Sequence, residues 1–140
     1  MNKTLHYLLL STNSTFHKKV FANLNSTELT HGQPKVLDYL KYHDGCVQKD
    51  IAAACEIESS TVTSLLLRME KSGLIERRML NGNRRSLYVF LTEKGKEALE
   101  KVTSVFDELE KIAFDGFSED EKVDFIEKFF RIYNNLTEEK

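Results

Sequence analysis

The stretch LIERRMLNGNRRSLYVFLTEKG, residues Leu74–Gly95, contains four arginines in two pairs, Arg77-Arg78 and Arg84-Arg85. The dipeptide Asn81-Gly82 lies between the pairs and is a strong signal for a tight hairpin turn. The runs on either side favour strands, so the stretch predicts a two-stranded hairpin. Four guanidinium groups on one small hairpin repel one another, which predicts an anionic binding partner.

The excess of basic residues is confined to this middle part of the chain. Residues 1–67 contain six basic and six acidic side chains, whereas residues 68–96 contain eight basic and three acidic ones, a balance of +5. Residues 97–140 contain six basic and thirteen acidic side chains, a balance of −7, and the whole chain carries −2. A local basic stripe is expected of a nucleic-acid contact whatever the global charge.

A chain of 140 residues with this composition is predicted to form one globular domain. No apolar run approaches the roughly 18 residues that a membrane span needs, and no signal-peptide cleavage site follows LHYLLL at Leu5–Leu10. We therefore expect a cytoplasmic protein without a membrane partner. Cys46 and Cys55 lack CxxC spacing and are expected to be free thiols.

Two short helical patterns precede the hairpin. The first, VQKDIAAACE, has an apolar face of Val47, Ile51, Ala52 and Cys55. The second, IESSTVTSLLLRMEKSG, begins at a cap from Glu58 or Ser59 and ends at Gly73. Its polar face is rich in hydroxyl groups and consists of Ser60, Thr61, Thr63, Ser64 and Arg68. Such a pair predicts a helix-turn-helix whose second helix reads base edges in the major groove.

Further helical patterns flank this region on both sides. Residues 5–24 predict a helix, a second helix is predicted to start at an N-cap formed by Thr30 with Gln33, and residues 93–114 predict a long one. A capping box of Ser118 and Glu121 predicts the last helix. The apolar faces of residues 5–24 and 118–136 are larger than one small lobe can cover, which predicts a homodimer.

Together these patterns predict a mainly α fold with a small β-hairpin. Three helices followed by a hairpin form a winged helix-turn-helix lobe, with Leu87, Val89 and Leu91 of the hairpin packed on the helices. The predicted boundaries place a single domain at 1–140, the DNA-binding lobe at 30–96, and dimerisation helices at 1–28 and 97–140.

The sequence resembles the multiple-antibiotic-resistance regulator (MarR) family of bacterial transcription factors. The resemblance rests on TVTSLLLRMEKSGLIERR (Thr61–Arg78), NRRSLYVFLTEKG (Asn83–Gly95) and LTHGQPKVLDYL. It implies a homodimer on a pseudo-palindromic operator in double-stranded DNA, acting as a repressor released by a small-molecule effector. It also implies a ligand cavity between the dimerisation helices and each lobe, for which Phe16, Tyr39 and His43 are candidate lining residues.

The resemblance also assigns roles to individual side chains. Arg85 corresponds to the wing arginine that probes the minor groove, and Arg77 to the arginine at the base of the wing. The DNA-facing positions of the recognition helix correspond to Thr61, Thr63, Ser64 and Arg68. The chain departs from the family at Asn83, where an acidic residue usually orients the wing arginine, and at Ser64, where arginine is frequent. The full set of wing candidates is Arg77, Arg78, Asn83, Arg84 and Arg85.

Several alternatives remain open at this point. The cysteines suggest a redox-responsive regulator of the same fold, and His6, His17, His31 and His43 suggest a metal-responsive one. A winged-helix protein-interaction module is a further alternative. The sequence has no Gly-rich phosphate loop, nucleophile elbow or metal-ligand cluster, so neither an enzyme nor a cofactor is expected, and no catalytic or metal-ligating residue is assigned.

Overall fold

The computed structural model describes residues 3–80, 82 and 86–138. Within these residues the elements follow the order α1 (Leu5–Asn23), α2 (Gln33–His43), β1 (Cys46–Val47), α3 (Gln48–Ala54), α4 (Ser59–Lys71), β2 (Ile75–Met79), β3 (Leu87–Leu91), α5 (Glu93–Ala113) and α6 (Glu119–Thr137). The chain divides into two compact units, with the boundary after Asp107 inside α5. The predicted fold class, mainly α with a winged helix-turn-helix lobe, is confirmed.

The core of the first unit orients α4. The predicted apolar face of α4 is confirmed, because Val62, Leu65, Leu66 and Met69 are all buried. The core of this unit also contains buried side chains of α2, α3, β2 and β3, namely Val36, Leu37, Leu40, Ile51, Ile75 and Val89. Each such side chain contributes about 1.5–3 kcal/mol when it is fully buried. Burial of one face fixes the rotation of α4 and leaves its opposite face in solvent.

The sheet has one strand more than the sequence analysis predicted. The strand β1 pairs with β3, at Cys46 opposite Val89 and Val47 opposite Tyr88, so the antiparallel order is β1-β3-β2. The predicted two-stranded hairpin is therefore a three-stranded sheet. Val47, which the sequence analysis assigned to the apolar face of a helix, belongs to a strand. That assignment was wrong because the partner of Val47 lies 41 positions away, so no local pattern reveals the pairing.

The start of α2 also differs from the prediction. The N-cap is Gly32, which has φ +88° and makes no side-chain cap, and the helix begins at Gln33. Thr30 is not the cap, although its N–H donates to Gln33 Oε1 at 3.1 Å. The two predicted residues are therefore hydrogen-bonded to each other, but Gly32 between them has the left-handed conformation and is the N-cap, so the helix begins after it.

The sequence Leu-Thr-x-x-Gly joins β3 to α5 and contacts the turn between α4 and β2. The Thr92 hydroxyl donates to the Gly73 carbonyl at 2.5 Å and accepts from the Gly95 N–H at 3.0 Å. A Cβ on Gly95 would collide with the Leu74 carbonyl oxygen. The threonine and the glycine of this motif thus hold the end of the wing against the turn that follows α4.

The second unit contains the end of α5 and all of α6. The predicted capping box is confirmed: Glu121 N–H donates to Ser118 Oγ at 3.1 Å, and Ser118 N–H donates to the Glu121 carboxylate at 3.1 Å. No residue of α6 is buried. In the described part of the chain, no helix is long and apolar enough to cross a membrane.

Candidate nucleic-acid interface

The solvent-facing side of α4 is a narrow row of residues opposite the core. At 3.6 residues per turn, the positions farthest from the buried face recur at steps of three and four. We call this row the outer ridge; it consists of Ser60, Ser64, Leu67 and Lys71, all exposed. The sequence analysis identified the two serines but omitted Leu67 and Lys71. The helical period of 3.6 residues, which predicted the buried face of α4, also predicts that these two positions face solvent.

The other predicted α4 residues flank the outer ridge on two sides. Thr61 and Arg68 are exposed and line a cavity together with the buried Leu65. Thr63 lies on the other flank, where its hydroxyl donates to the Ser59 carbonyl at 2.9 Å and accepts from Gln48 Nε2 at 2.9 Å. The five predicted residues therefore lie on three surfaces of α4. Ser60 and Ser64 lie on the outer ridge, Thr61 and Arg68 beside the cavity, and Thr63 beside Gln48.

The strands β2 and β3 form the wing, and Arg77 in β2 attaches the base of the wing to α4. Its Nε and Nη2 donate to the two carboxylate oxygens of Glu70 at 3.3 and 3.2 Å, and its side chain is only 13% exposed. Nη1 makes a longer contact of 3.4 Å with Gln48 Oε1. Hydrogen bonding from Arg77 lowers the pKa of the Glu70 carboxyl and outweighs partial burial, which acts in the opposite direction. The ion pair is therefore formed at neutral pH.

Arg78 lies on the opposite face of the sheet, since neighbouring residues of a strand alternate between faces. Its guanidinium is 2.7 Å from Glu76 Oε2 and 4.5 Å from the ring centre of Phe90. The structure therefore does not bring the two arginines of this pair together. The remaining wing candidates, Asn83, Arg84 and Arg85, lie outside the described residues.

Comparison with known proteins identifies the family of this chain. The MarR family model matches residues 29–87. The crystal structure of S. aureus MepR in DNA-binding conformation is 30% identical, has a TM-score of 0.86, and covers 96% of this chain and 99% of that chain. The chain belongs to the MarR family. The S. aureus MepR–DNA complex is 29% identical with a TM-score of 0.88 and covers 97% of this chain and 100% of that one.

Relatives among bacterial regulators agree with this assignment. The organic hydroperoxide resistance transcriptional regulator of Bacillus subtilis (strain 168) is 29% identical over 105 residues, 75% of this chain and 71% of that protein. The HTH-type transcriptional regulator YwhA of the same organism is 30% identical over 91 residues, 65% of this chain and 66% of YwhA, just under two thirds of its length. This MarR-family chain is a transcriptional regulator and not an enzyme.

An open cavity of about 750 Å³ adjoins α4 in the first unit of this MarR-family protein. It lies among α1, the segment before α2, and the Thr61–Arg68 flank of α4. Five aromatic rings line it, those of Phe16, His17, Phe21, His31 and Phe106, and its charged lining is Lys35, Asp38 and Arg68. Phe16 is placed as predicted. Tyr39 and His43 do not line the cavity; their rings stack on each other with centroids 4.2 Å apart.

The thiols of this MarR-family chain are not activated. Burial, followed by the charge of Asp50, raises the pKa of Cys46 to about 11. Burial also raises the pKa of Cys55, although Lys35 acts in the opposite direction. Because the thiolate is the reactive form, these environments disfavour oxidation at neutral pH. Among the described residues, no group of three or more His, Cys, Asp or Glu side chains is arranged to hold a metal ion.

Proposed function

We propose that the chain is a homodimeric, sequence-specific regulator of double-stranded DNA. In this proposal the outer ridge of α4 enters the major groove, and the wing reaches the adjacent backbone and minor groove. The observation that carries the proposal is the outer ridge of α4, with two serine hydroxyls and Lys71 in solvent, beside a wing whose base is attached to the same helix through Arg77 and Glu70.

The chemistry of the outer ridge suits groove recognition. Serine hydroxyls donate to or accept from base edges, and Lys71 adds a cation at the end of the ridge. Residues 68–96 carry a balance of +5, so a polyanion is favoured over a neutral protein surface. The related MepR was solved in complex with DNA, which supports the same use of this fold.

Exposed apolar side chains support the homodimer. Phe129, Phe130 and Tyr133 of α6 and Leu5 and Leu10 of α1 are large hydrophobic residues exposed to solvent. Surfaces of this kind on a small protein are typical of interaction sites. We assign residues 1–28 and 97–140 to the dimer and residues 30–96 to the DNA-binding lobe of one regulatory domain.

The cavity supports control by a small molecule. Its volume of about 750 Å³ is in the range of roughly 300–1,000 Å³ usual for ligand sites, and its mixed aromatic and charged lining is usual as well. Thr61 and Arg68 belong both to the cavity and to the predicted DNA-binding set. A ligand there would change the surroundings of α4, and we propose that this releases a cytoplasmic repressor from its operator.

Selection of duplexes from a random library, followed by titration with the full-length protein, tests this function. We expect an inverted repeat with half-sites about one helical turn, roughly 34 Å, apart. Ser64→Ala and Arg68→Ala should each cost about 1–3 kcal/mol on the selected duplex and relax its sequence preference. Asn135→Ala on the exposed side of α6 serves as the control. Failure to enrich any sequence would contradict the proposal and favour the protein-interaction module.

The wing is tested separately through the dependence of binding on salt. The double variant of Arg84 and Arg85 to alanine should reduce the slope of log K against log salt by about one unit for each phosphate that it no longer binds. An unchanged slope would mean that these two arginines do not bind the DNA backbone.

A further inference from the structure

Gln48, the first residue of α3, connects two elements that are distant in sequence. Its Nε2 donates to the hydroxyl of Thr63 at 2.9 Å, and its Oε1 accepts from Arg77 Nη1 at 3.4 Å. These partners lie 15 and 29 positions away in the chain. One amide therefore bridges α4, the predicted recognition helix, and the base of the wing.

The bonds of Thr63 restrict what this side chain can offer to DNA. A hydroxyl group has one proton to donate, and that of Thr63 is already donated to the Ser59 carbonyl at 2.9 Å. One of its two acceptor positions is occupied by Gln48. While this network holds, Thr63 cannot donate a hydrogen bond to a base, so its contribution to base recognition is limited to its methyl group and one acceptor position.

Arg77 is restricted in the same way. Two of its three guanidinium nitrogens, Nε and Nη2, donate to Glu70, and the third, Nη1, lies 3.4 Å from Gln48 Oε1. With its side chain only 13% exposed, Arg77 is better suited to hold the wing than to reach a phosphate. Thr63 and Arg77 thus both have polar groups bonded within the protein, and Gln48 is the partner that they share.

We propose that Gln48 is a positioning residue that sets the angle between the recognition helix and the wing, and thereby contributes to operator specificity. This inference rests on the proposed function. Two DNA-contacting elements bind adjacent grooves more tightly when their separation is fixed before binding, because ordering on contact costs conformational entropy. Small errors in such a preorganised arrangement weaken binding to the cognate sequence first, since binding to random sequence depends mainly on charge.

The test combines Gln48→Met with Thr63→Val in a double-mutant cycle on the selected operator and on random duplex. Methionine keeps the length and flexibility of the side chain but removes both polar contacts, and valine keeps the shape of threonine while it removes the hydroxyl. We expect Gln48→Met to lower operator affinity about tenfold and to leave random-duplex affinity within about twofold. The double variant should bind the operator no more weakly than Gln48→Met alone.

Gln33→Met is the matched control, because Gln33 is the other glutamine in the sequence and its Oε1 accepts a local bond from Thr30 N–H. This variant should keep the ratio of operator to random affinity even if its denaturation midpoint falls. An unchanged ratio in Gln48→Met, or independent losses from the two substitutions of the cycle, would overturn the positioning role alone. A wild-type protein with no operator preference would overturn the proposed function as well.

Discussion

At the scale of single residues, Leu67 is the apolar member of a polar surface. It lies on the outer ridge between Ser64 and Lys71 and is 40% exposed, although leucine gains from leaving water. In a major groove its methyl groups would match the C5-methyl group of thymine, the main apolar feature there. We therefore predict that Leu67→Ala weakens binding to an operator with thymine at the facing position, by about 0.8 kcal/mol for each side-chain carbon that the contact buries.

Replacement of thymine by deoxyuridine isolates this contact, because it removes the methyl group alone. Wild-type protein should lose affinity at one deoxyuridine position, and Leu67→Ala should lose nothing further there. Lys71→Ala, one turn along the same ridge, should retain full sensitivity to that replacement. Equal sensitivity of the wild type and Leu67→Ala at every position would rule out the methyl contact.

Glu70 gives a prediction about pH. Hydrogen bonding from Arg77 lowers the pKa of Glu70 below its ordinary value of 4.5. A carboxyl whose folded pKa is depressed stabilises the fold fully above its unfolded pKa and loses that contribution as pH falls through the folded pKa. Urea unfolding should therefore show wild type more stable than Glu70→Gln at pH 7, with the difference closing below pH 4.5. A difference that persists unchanged in acid would show that the charge of Glu70 is not its cause.

At the scale of elements, the junction of β3 and α5 depends on the absence of a side chain at Gly95. The obstacle to a Cβ there is the backbone carbonyl of Leu74, which cannot rotate away as a side chain can. We predict that Gly95→Ala destabilises the protein by about 1–3 kcal/mol. Lys96→Ala, at the adjacent exposed position of α5, should change the free energy of unfolding by no more than about 0.5 kcal/mol. Equal denaturation midpoints for the two variants would contradict this account.

The sequence predicted the elements that depend on local pattern and missed those that depend on distant partners. The buried face of α4 and the capping box of Ser118 follow from spacings of three and four residues, so both could be predicted. The strand β1 has only two residues and exists through its pairing with β3. The role of Gln48 likewise requires contacts 15 and 29 positions away. Thr30 was assigned wrongly as a cap because the left-handed conformation of Gly32 has no clear signal in a single sequence.

At the scale of the whole molecule, the apolar surface of α6 is the feature that a single chain leaves unexplained. Its row of exposed hydrophobic side chains recurs at helical spacing and comprises Val123, Ile126, Phe129, Phe130, Tyr133 and Leu136. The opposite side of the helix carries the ion pair of Lys128 with Asp124 at 2.7 Å. A helix with one apolar and one charged side needs a partner for the apolar side, and in the homodimer that we propose that partner is a second copy of the chain.

Phe130→Asp tests whether this surface joins two copies. Phe130 is 61% exposed in the single chain, and a carboxylate in its place at an apolar interface would lose its hydration at a large cost in free energy. We predict that wild-type protein sediments as a dimer at micromolar concentration and that Phe130→Asp sediments as a monomer with its helical content retained. Asn135→Asp introduces the same carboxylate on the charged side of α6 and should remain dimeric. Because each monomer then binds only one half-site, Phe130→Asp should also lose the preference of the wild type for the inverted repeat over a single half-site. A dimer that survives this substitution would locate the interface on another surface of the protein.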